Sequence, residues 1–415
     1  MRWTTLLVAV CLATAGCDPL PWGLPRVADP QTLVGFASLP ADTFAAGPTS
    51  GQFITAANGV KPPFANRQPV QGFSSVLRAS NGDFLVMPDN GFGSKATSAD
   101  FVLRVYRISA DFKRQTGGTG AIQIKSYVTL HDPDRRITFP IVADRDVYPG
   151  TPNGIAVDRA IREQRLLTGG DLDVESFREA SDGTFWFGDE FGPFLVHTDA
   201  NGKVLDAPIP LPGVQSPQNP FGGAANLAAS RGFEGIALPP GGKQIYAVLE
   251  GPIAGADPQN LVIHEFDLEH RRYTGRQWTY RLDMPGYSVG DFTAVTDRLF
   301  LAVERDDAQG DAARFKKVFL VDLDTREPSG VLVKHLVADL LNLADPDLLG
   351  GTTTRFRFPF QTIESVIPLG PNELGVLNDN NYPFSTGRAP DRPDPNEFIV
   401  IRLNRPLDQY ARNRH

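Results

Sequence analysis

Cysteine is nearly absent from this chain of 415 residues, which contains only Cys11 and Cys17. Cys11 lies in an N-terminal apolar run with the pattern of a removed export signal, so Cys17 is the single thiol expected in the mature protein. This excludes an internal disulfide and any metal site built from several cysteines. Stability must therefore come from burial of the hydrophobic residues, which are 41% of the chain.

Long apolar segments are also lacking, because the only such run is the short one from Leu6 to Ala13. A basic residue precedes this run, and small residues followed by Cys17 come after it, which resembles a bacterial lipoprotein signal. We therefore expect a signal over residues 1–16, lipidation of Cys17 and a proline-rich tether over residues 17–31. The expected location is the cell envelope or periplasm, and the alternative is a secreted protein cut nearby.

An excess of positive charge is lacking, since 48 acidic residues outnumber 40 basic ones and the formal net charge is -8 at pH 7. This disfavours nucleic acid as a partner and electrostatic adhesion to an anionic bilayer. Contact with a membrane is accordingly expected through the lipid anchor only. We expect the protein to be a monomer.

Uninterrupted helical stretches are few, because 35 prolines and 40 glycines are spread along the chain. Only Asp158 to Leu167 and Val337 to Leu349 could hold a turn or two of helix. The same composition, with 27 phenylalanines, suits many short strands and turns. The sequence therefore predicts an all-β fold.

A two-strand unit with acidic ends recurs along the chain, and the clearest copy runs from Glu175 through the turn at Asp182-Gly183 to Asp189-Glu190. The other copies are Ser74 to Asp89, Glu234 to Glu250, Asp291 to Glu304 and Glu364 to Asp379. Such a repeat of a small β unit predicts a β-propeller over residues 32–415, with Thr32 to Pro40 as its first strand. Counting one blade hidden in the irregular segment from His131 to Asp173, we predict six blades, with five or seven as alternatives.

The repeats place many carboxylates at one mouth of the propeller channel, because equivalent residues of rotated blades share one end. So much negative charge requires solvation, protonation or a cation. A hard cation with many oxygen ligands fits best, so we expect Ca²⁺. The candidate ligands are Asp89, Glu175, Asp189, Glu190, Glu234, Glu250, Glu304, Glu364 and Asp379, with Asp291, Asn90, Asn378, Asn380 and Asn381 expected beside them.

Three basic residues, Arg231, Arg305 and Lys95, lie next to these acidic positions in the sequence. They could be salt-bridge partners of the carboxylates, or they could bind an anionic group of a substrate.

A separate match to G-x-S-x-G occurs at Gly286 to Gly290. We interpret it as a chance match, because no helical pattern follows Ser288 as a nucleophile elbow requires.

Several strings resemble the phytase-like family, whose members are described as having esterase-like activity. They are DGTFWFGDEFGPFLV, RGFEGIAL, AVLEGP and ESVIPLGPNELGVLNDNNYP, in this order, and the resemblance extends from Val34 to Leu403. It implies a β-propeller, hydrolysis of phosphate or carboxylic esters, and Ca²⁺ by analogy with propeller phytases.

Two functional hypotheses follow. In the first, the chain is an exported, calcium-dependent hydrolase of a small anionic ester, with Glu175, Glu190 or Glu234 acting on water. Arg231, Arg305 and Lys95 would then bind the substrate anion. In the second, the propeller is a non-catalytic module that binds a ligand at the cell surface and holds calcium for structural reasons.

Overall fold

The computed structural model describes residues 30–150 and 154–411, so the expected signal, Cys17 and most of the tether lie outside the described residues. The first predicted strand is confirmed as β1 (Thr32–Leu39). A two-stranded ribbon follows it, formed by β2 (Phe44–Ala46) and β3 (Arg67–Pro69).

Four blades follow along the chain, each with four antiparallel strands in sequence order. The outer strand of the first of them also pairs with β1 through a parallel bridge between Ser38 and Ala121. Blade 1 contains β4 (Ser75–Arg78), β5 (Phe84–Met87), β6 (Arg104–Asp111) and β7 (Ala121–Thr129). Blade 2 contains β8 (Val174–Glu179), β9 (Phe185–Asp189), β10 (Phe194–Thr198) and β11 (Ile209–Pro210). Blade 3 contains β12 (Phe233–Ala237), β13 (Gln244–Leu249), β14 (Asn260–Asp267) and β15 (Arg272–Arg281). Blade 4 contains β16 (Ser288–Ala294), β17 (Leu299–Arg305), β18 (Lys316–Arg326) and β19 (Leu332–Asp339).

The last blade joins the two ends of the described chain. After the short strands β20 (Leu343–Ala344) and β21 (Arg355–Phe356), blade 5 is formed by β22 (Thr362–Gly370), β23 (Glu373–Asp379) and β24 (Asn396–Arg402). Its fourth strand is β1, which pairs antiparallel with β24. Because an N-terminal strand completes a C-terminal sheet, the ring is closed by hydrogen bonds between segments far apart in the sequence.

The all-β propeller is thus confirmed, and the number of blades among the described residues is five instead of the favoured six. The first strand of each blade contacts the first strand of the next, and β22 contacts β4 to close the ring. The segment from His131 to Asp173 forms no blade. It carries a 3₁₀ turn at Val142–Asp144 and the helix α1 (Arg159–Gln164), and it packs against blades 1 and 2.

Five hydrophobic clusters fill the five spaces between neighbouring blades, which explains how a chain without disulfides is stabilised by burial alone. Each cluster combines side chains from two successive sheets. Representative buried pairs are Val105 and Phe177, Trp186 and Ile236, Val248 and Phe300, Leu301 and Val366, and Leu377 and Val86.

Of the two predicted helices, one is confirmed and one is wrong. The first contains α1, in which the Asp158 side chain accepts a hydrogen bond from the Ala160 backbone amide. The second, Val337 to Leu349, is the end of β19 followed by β20, because pairing with β18 outweighs local helix propensity. Short 3₁₀ turns also occur at Gly310–Ala312 and Leu407–Gln409.

Within the described residues, no helix has both the length and the apolar character needed to span a bilayer.

A buried ion pair crosses the channel. Arg178 of blade 2 donates to Asp291 of blade 4 at 3.1 Å and to Ser75 of blade 1 at 2.9 Å. The prediction that Asp291 lies at the mouth is therefore wrong. Asp291 instead accepts from Arg178 and from the backbone amides of Phe292 and Val366, and it forms the floor beneath the mouth.

Replacing Arg178 with Met is expected to destabilise the fold by about 3–5 kcal/mol, because Asp291 would then be a buried charge without a partner. The double variant with Asp291→Asn should recover a large part of this loss, because that substitution removes the charge and keeps an oxygen acceptor. Urea unfolding of the four members of the cycle measures the coupling. Additive losses would show that the two side chains do not depend on each other.

Candidate functional site

Irregular pairing at the start of the inner strands aims selected side chains at the channel. In four blades one residue of the first strand is skipped in the register with the second, which is a β-bulge. The skipped residues are Glu175, Glu234, Gly290 and Glu364. In blade 1, Ser74 and Ser75 both face Met87, so Ser74 occupies the equivalent place. Three blades thus contribute a buried glutamate to one ring.

Further carboxylates lie above this ring, and together they form two groups. One group is Asp89, Asp173 and Glu175, and the other is Glu190, Glu234 and Glu250. Within each group, one oxygen of every residue lies within 4.8 Å of the others. We call these six residues, with Glu364, the acidic mouth.

Three oxygens of the acidic mouth are buried and have no hydrogen-bond partner among the described residues. They are Asp173 Oδ1, Glu190 Oε1 and Glu234 Oε1. A buried oxygen acceptor without a partner is costly, so each one indicates a site for a cation, a proton or a substrate group. These atoms belong to both groups of carboxylates, so a ligand is expected at each group.

Burial and mutual repulsion raise the pKa values of six carboxyl groups of the acidic mouth, namely Asp89, Asp173, Glu175, Glu190, Glu234 and Glu364. Burial raises the pKa of Asp173 to about 6 and that of Glu364 to about 8. The pKa values of Glu175, Glu190 and Glu234 are well above the ordinary value, first through burial and then through neighbouring carboxylates. Glu175 is repelled by Asp173 and Glu234, so the two groups share one electric field. Bringing all of them to the ionised form requires a positive charge.

Two arginines supply part of that charge on the side of blades 3 to 5. Arg305 contacts Glu364 at 3.2 Å and Glu250 at 3.5 Å, and its other terminal nitrogen contacts Asp307. Arg231 contacts Glu250 at 2.5 Å and donates to the Ser288 hydroxyl at 2.8 Å. Arg305 is almost fully buried, whereas about a third of the Arg231 side chain is exposed (35%).

Gly290 explains why the bulge of blade 4 carries no carboxylate. A Cβ atom at this position would lie 2.2 Å from the Ile363 carbonyl oxygen and 3.4 Å from Arg305 Nε. Only glycine fits there. The space next to the channel is therefore taken by the Arg305 side chain, which replaces an acidic ring member with a basic one.

A profile described as phytase-like, esterase-like activity of phytase, matches residues 68–382. This span is well over half of the chain. The chain belongs to the phytase-like family. The resemblance seen in the sequence motifs is thereby confirmed, and the matched residues include every member of the acidic mouth.

Comparison with solved structures adds distant likenesses to the phytase-like chain. A luciferin-regenerating enzyme is 12% identical with a TM-score of 0.36, over 90% of this chain and 92% of that one. A gluconolactonase of Xanthomonas campestris is 9% identical with a TM-score of 0.33, over 79% and 71%. Virginiamycin B lyase of Staphylococcus aureus is 12% identical with a TM-score of 0.30, over 87% and 99%. None of the curated proteins matches. At these scores the likenesses say nothing about activity.

Three predicted carboxylates of the phytase-like propeller have turn-forming roles. Asp189 accepts from the backbone amides of Asp173 and Gly192, and burial raises its pKa to about 7. Asp379 accepts from the Asn381 amide at 2.9 Å and from Thr362. Asp89 accepts from the Gly91 amide at 2.8 Å through one oxygen, and it also belongs to the first group. These aspartates hold the turns that carry the mouth.

The predicted ligand Glu304 is not brought to the acidic mouth. Its carboxylate accepts from Tyr280 at 2.8 Å and from the Asp283 amide, and it contacts Lys334 at 2.5 Å. The register places Glu304 opposite Val289, and the next residue, Arg305, points to the mouth instead. The prediction that Glu304 is a metal ligand is corrected accordingly.

The remaining predicted residues lie around the same face. Lys95 is half-buried, donates to the Gln218 carbonyl oxygen at 3.3 Å and lies 5.1 Å from the centre of the Phe191 ring. Asn90 and Asn378 are used in local hydrogen bonds to Gly93 and Glu397. Asn380 donates to the Asp394 carbonyl oxygen and Asn381 to Thr362.

Ser288 lies where a loop enters strand β16, which is the reverse of the strand-to-helix turn that a nucleophile elbow requires. Its hydroxyl accepts from Arg231. The G-x-S-x-G string at this position therefore lacks the structural context that gives the motif its meaning.

Sequence reasoning missed Asp173 and Arg178. Asp173 could have been found, because it directly precedes the first strand of blade 2 and lies two residues before Glu175. Arg178 had no such signal, because its partner Asp291 is 113 residues away.

Proposed function

We propose that the acidic mouth is the active site of a calcium-dependent hydrolase of phosphate or carboxylic esters. The observation that supports this most directly is the set of unpartnered buried oxygens on Asp173, Glu190 and Glu234. Two groups of buried or half-buried carboxylates next to two arginines form a site for a cation and an anion together. Perturbed carboxyl groups that share a mouth are typical of functional sites.

The residues present fit calcium by their chemistry. All candidate donors are oxygens, which hard cations prefer, and the three unpartnered oxygens are left available. Asp89, Asp173 and Glu175 would hold one ion, and Glu190, Glu234 and Glu250 would hold a second. When bound, calcium would neutralise the carboxylates and polarise the oxygen of the ester that gains negative charge.

Two arginines and one glutamate would bind the substrate, position the carboxylates and accept a proton. Arg231 is the partly exposed cation, so it would bind the anionic group of the substrate. Arg305 is committed to carboxylates on both terminal nitrogens and would position Glu250 and Glu364. Glu190 follows the end of β9, outside the ring of bulge residues, and would accept a proton from the attacking water with the carboxylate oxygen that does not hold the ion.

The sequence supports a proposal about location as well. A lipoprotein-type signal over residues 1–16 and Cys17 would export the chain and anchor it in the cell envelope, with a secreted form as the alternative. The partner would be a small anionic ester. Mass spectrometry of the purified full chain from its membrane fraction tests for a lipidated Cys17.

Turnover of p-nitrophenyl phosphate and p-nitrophenyl acetate, with calcium and with EDTA, tests the proposed function. We expect calcium-dependent hydrolysis of at least one substrate, and for p-nitrophenyl phosphate, the anionic one, a KM raised about 10-fold or more in Arg231→Met through the lost charged hydrogen bond. Arg281→Met is the control, because Arg281 pairs with Asp257 on the outer strand of blade 3. A rate of hydrolysis that EDTA does not change would contradict the calcium requirement.

The second candidate function is the calcium-stabilised binding module. It is favoured by the ion pairs of Arg231 and Arg305 with Glu250, which already give both arginines a structural partner. This function predicts no turnover of a broad ester panel together with a melting temperature that depends on calcium.

A further inference from the structure

A buried arginine of blade 1 lacks a counterion. Arg104 begins β6 and is only 3% exposed. Its Nη2 donates to the Ala46 carbonyl oxygen at 2.9 Å, whereas Nε and Nη1 have no hydrogen-bond partner among the described residues. Nor does the guanidinium form an ion pair with any carboxylate in the described part of the chain. Because a buried charge without a partner is costly, this guanidinium requires an acceptor that the chain does not supply.

A second donor on the same face of β6 is also unpaired. Tyr106 lies two residues after Arg104, so both side chains are on one side of the strand. The Tyr106 hydroxyl is buried and has no partner among the described residues. In the acidic mouth the unpartnered atoms are oxygen acceptors, but here they are three atoms that can donate. An excess of donors around a guanidinium is best satisfied by an anion.

A pocket of about 460 Å³ lies beside this arginine, between blade 1, the β2–β3 ribbon and α1. Besides Arg104, its wall includes the polar residues Asn66, Thr129 and Gln164, and Thr129 is paired with Arg104 in the register of β6 and β7. Asp158 also borders the pocket. Its carboxylate caps α1 by accepting from the Ala160 amide at 2.8 Å, and it does not pair with Arg104. The pocket therefore offers space for a counterion next to the unpaired guanidinium.

Two neighbours hold the guanidinium in place at this pocket. The Tyr127 ring covers one face of it, with the guanidinium carbon 4.1 Å from the ring centre, and the Tyr127 hydroxyl donates to the same Ala46 carbonyl oxygen at 3.0 Å. At Gly47 an added Cβ would lie 2.5 Å from Arg104 Nη2, so a larger residue would displace the guanidinium. The charged group is thus positioned before any ligand binds, which lowers the entropic cost of binding.

We propose that Arg104 and its pocket bind a small oxyanion, a phosphate or a carboxylate, at a site separate from the acidic mouth. Arg104 would supply the charge and a planar set of donors, and the Tyr106 hydroxyl would supply one more. Entry requires the Tyr127 side chain to turn toward the solvent, to which it is already 40% exposed. The inference does not depend on the proposed function, because none of these residues belongs to the acidic mouth.

Calorimetric titration of the full chain with inorganic phosphate and with acetate tests the site. EDTA is included, so that the acidic mouth stays negative and repels anions. We expect the wild-type chain to bind at least one of the two anions, and Arg104→Met to bind it about 10-fold more weakly or worse through the lost charged hydrogen bonds. The two anions distinguish a phosphate site from a carboxylate site.

Two control variants remove an equal charge elsewhere. Arg107→Met removes an arginine of the same strand that is 38% exposed, and Arg231→Met removes the partly exposed cation of the acidic mouth. We expect both to bind the anion as the wild-type chain does. An equal loss in Arg107→Met would reflect net charge alone and would overturn the inference. A loss in Arg231→Met without one in Arg104→Met would do the same, because it would assign the anion to the acidic mouth.

Failure of the wild-type chain to bind either anion would also overturn the inference, as would equal affinity of the wild-type chain and Arg104→Met. Circular dichroism checks that each variant is folded. If Arg104→Met does not fold, Arg104→Lys keeps the charge but loses the planar donors, and we expect it to bind the anion about 5-fold more weakly. Unchanged affinity in Arg104→Lys would then count against the site.

Discussion

Replacing Glu190 with Gln is expected to lower kcat for ester hydrolysis by a factor of about 10²–10⁴, while the protein remains folded. Glutamine keeps the size of the side chain but cannot accept a proton from water. The substitution also removes an oxygen anion from the group of Glu190, Glu234 and Glu250, so we expect weaker calcium binding. Steady-state kinetics at saturating calcium separate the two effects, because added calcium restores occupancy but not a lost base.

Glu304→Gln is the matched control for this prediction. Glu304 is also buried and lies one residue before the end of the second strand of blade 4, but it contacts Tyr280 and Lys334 outside the acidic mouth. We expect a lower melting temperature with unchanged turnover per folded molecule. Wild-type turnover in Glu190→Gln would remove Glu190 from the catalytic role, and loss of turnover in Glu304→Gln would show that the site extends further.

The calcium-free protein is expected to lose stability as the pH rises from about 4 to about 8. The pKa of Asp173 rises from 3.8 to about 6 on folding, that of Asp189 to about 7, and that of Glu364 from 4.5 to about 8. A raised pKa means that the folded state holds protons that the unfolded state releases. The stabilisation from such a carboxyl group is complete at pH values below its pKa in the unfolded state. It is lost as the pH rises through its pKa in the folded state.

The expected size of this loss is large. One carboxyl group whose pKa rises from about 4 to about 6 corresponds to about 3 kcal/mol. Calcium should offset part of the loss, because the bound cation replaces the protons, and one ion at about 100 times its dissociation constant adds about 2.7 kcal/mol. Thermal unfolding at pH 5 and pH 8, with calcium and with EDTA, measures both effects.

The Glu364→Gln variant sharpens the test, because it removes a carboxyl group with a pKa of about 8 and should reduce the slope between pH 7 and pH 8. A melting temperature of the calcium-free protein that is equal at pH 5 and pH 8 would contradict the charge balance described for the mouth. Metal analysis of the purified protein adds the stoichiometry, for which the two carboxylate groups predict up to two ions.

The repeated hairpins were readable from the sequence because turn residues and apolar alternation are local signals. They located the inner strand pairs of all five blades and the glutamates Glu175, Glu234 and Glu364. The number of blades could not be predicted from the sequence. The segment from His131 to Asp173 has the length of a blade, but it forms no blade and packs against blades 1 and 2. Its length alone could not show that its backbone pairs with loops of neighbouring blades.

The register of the paired strands also could not be predicted from the sequence. Aligning Asp291 with Glu175 by eye is off by one residue, because the bulge of blade 4 is at Gly290. A shift of one residue turns a side chain to another face of the strand. The same shift separates Glu304, which points away, from Arg305, which contacts the mouth.

The sequence alone determined that this protein is an all-β propeller of the phytase-like family with glutamates at equivalent ends of its hairpins. These properties depend on residues close together in the chain. The tertiary structure decided the five blades, the Arg178–Asp291 floor and the placement of Asp173 in the mouth. Each of these depends on contacts between distant segments, whose distances and burial no local pattern encodes.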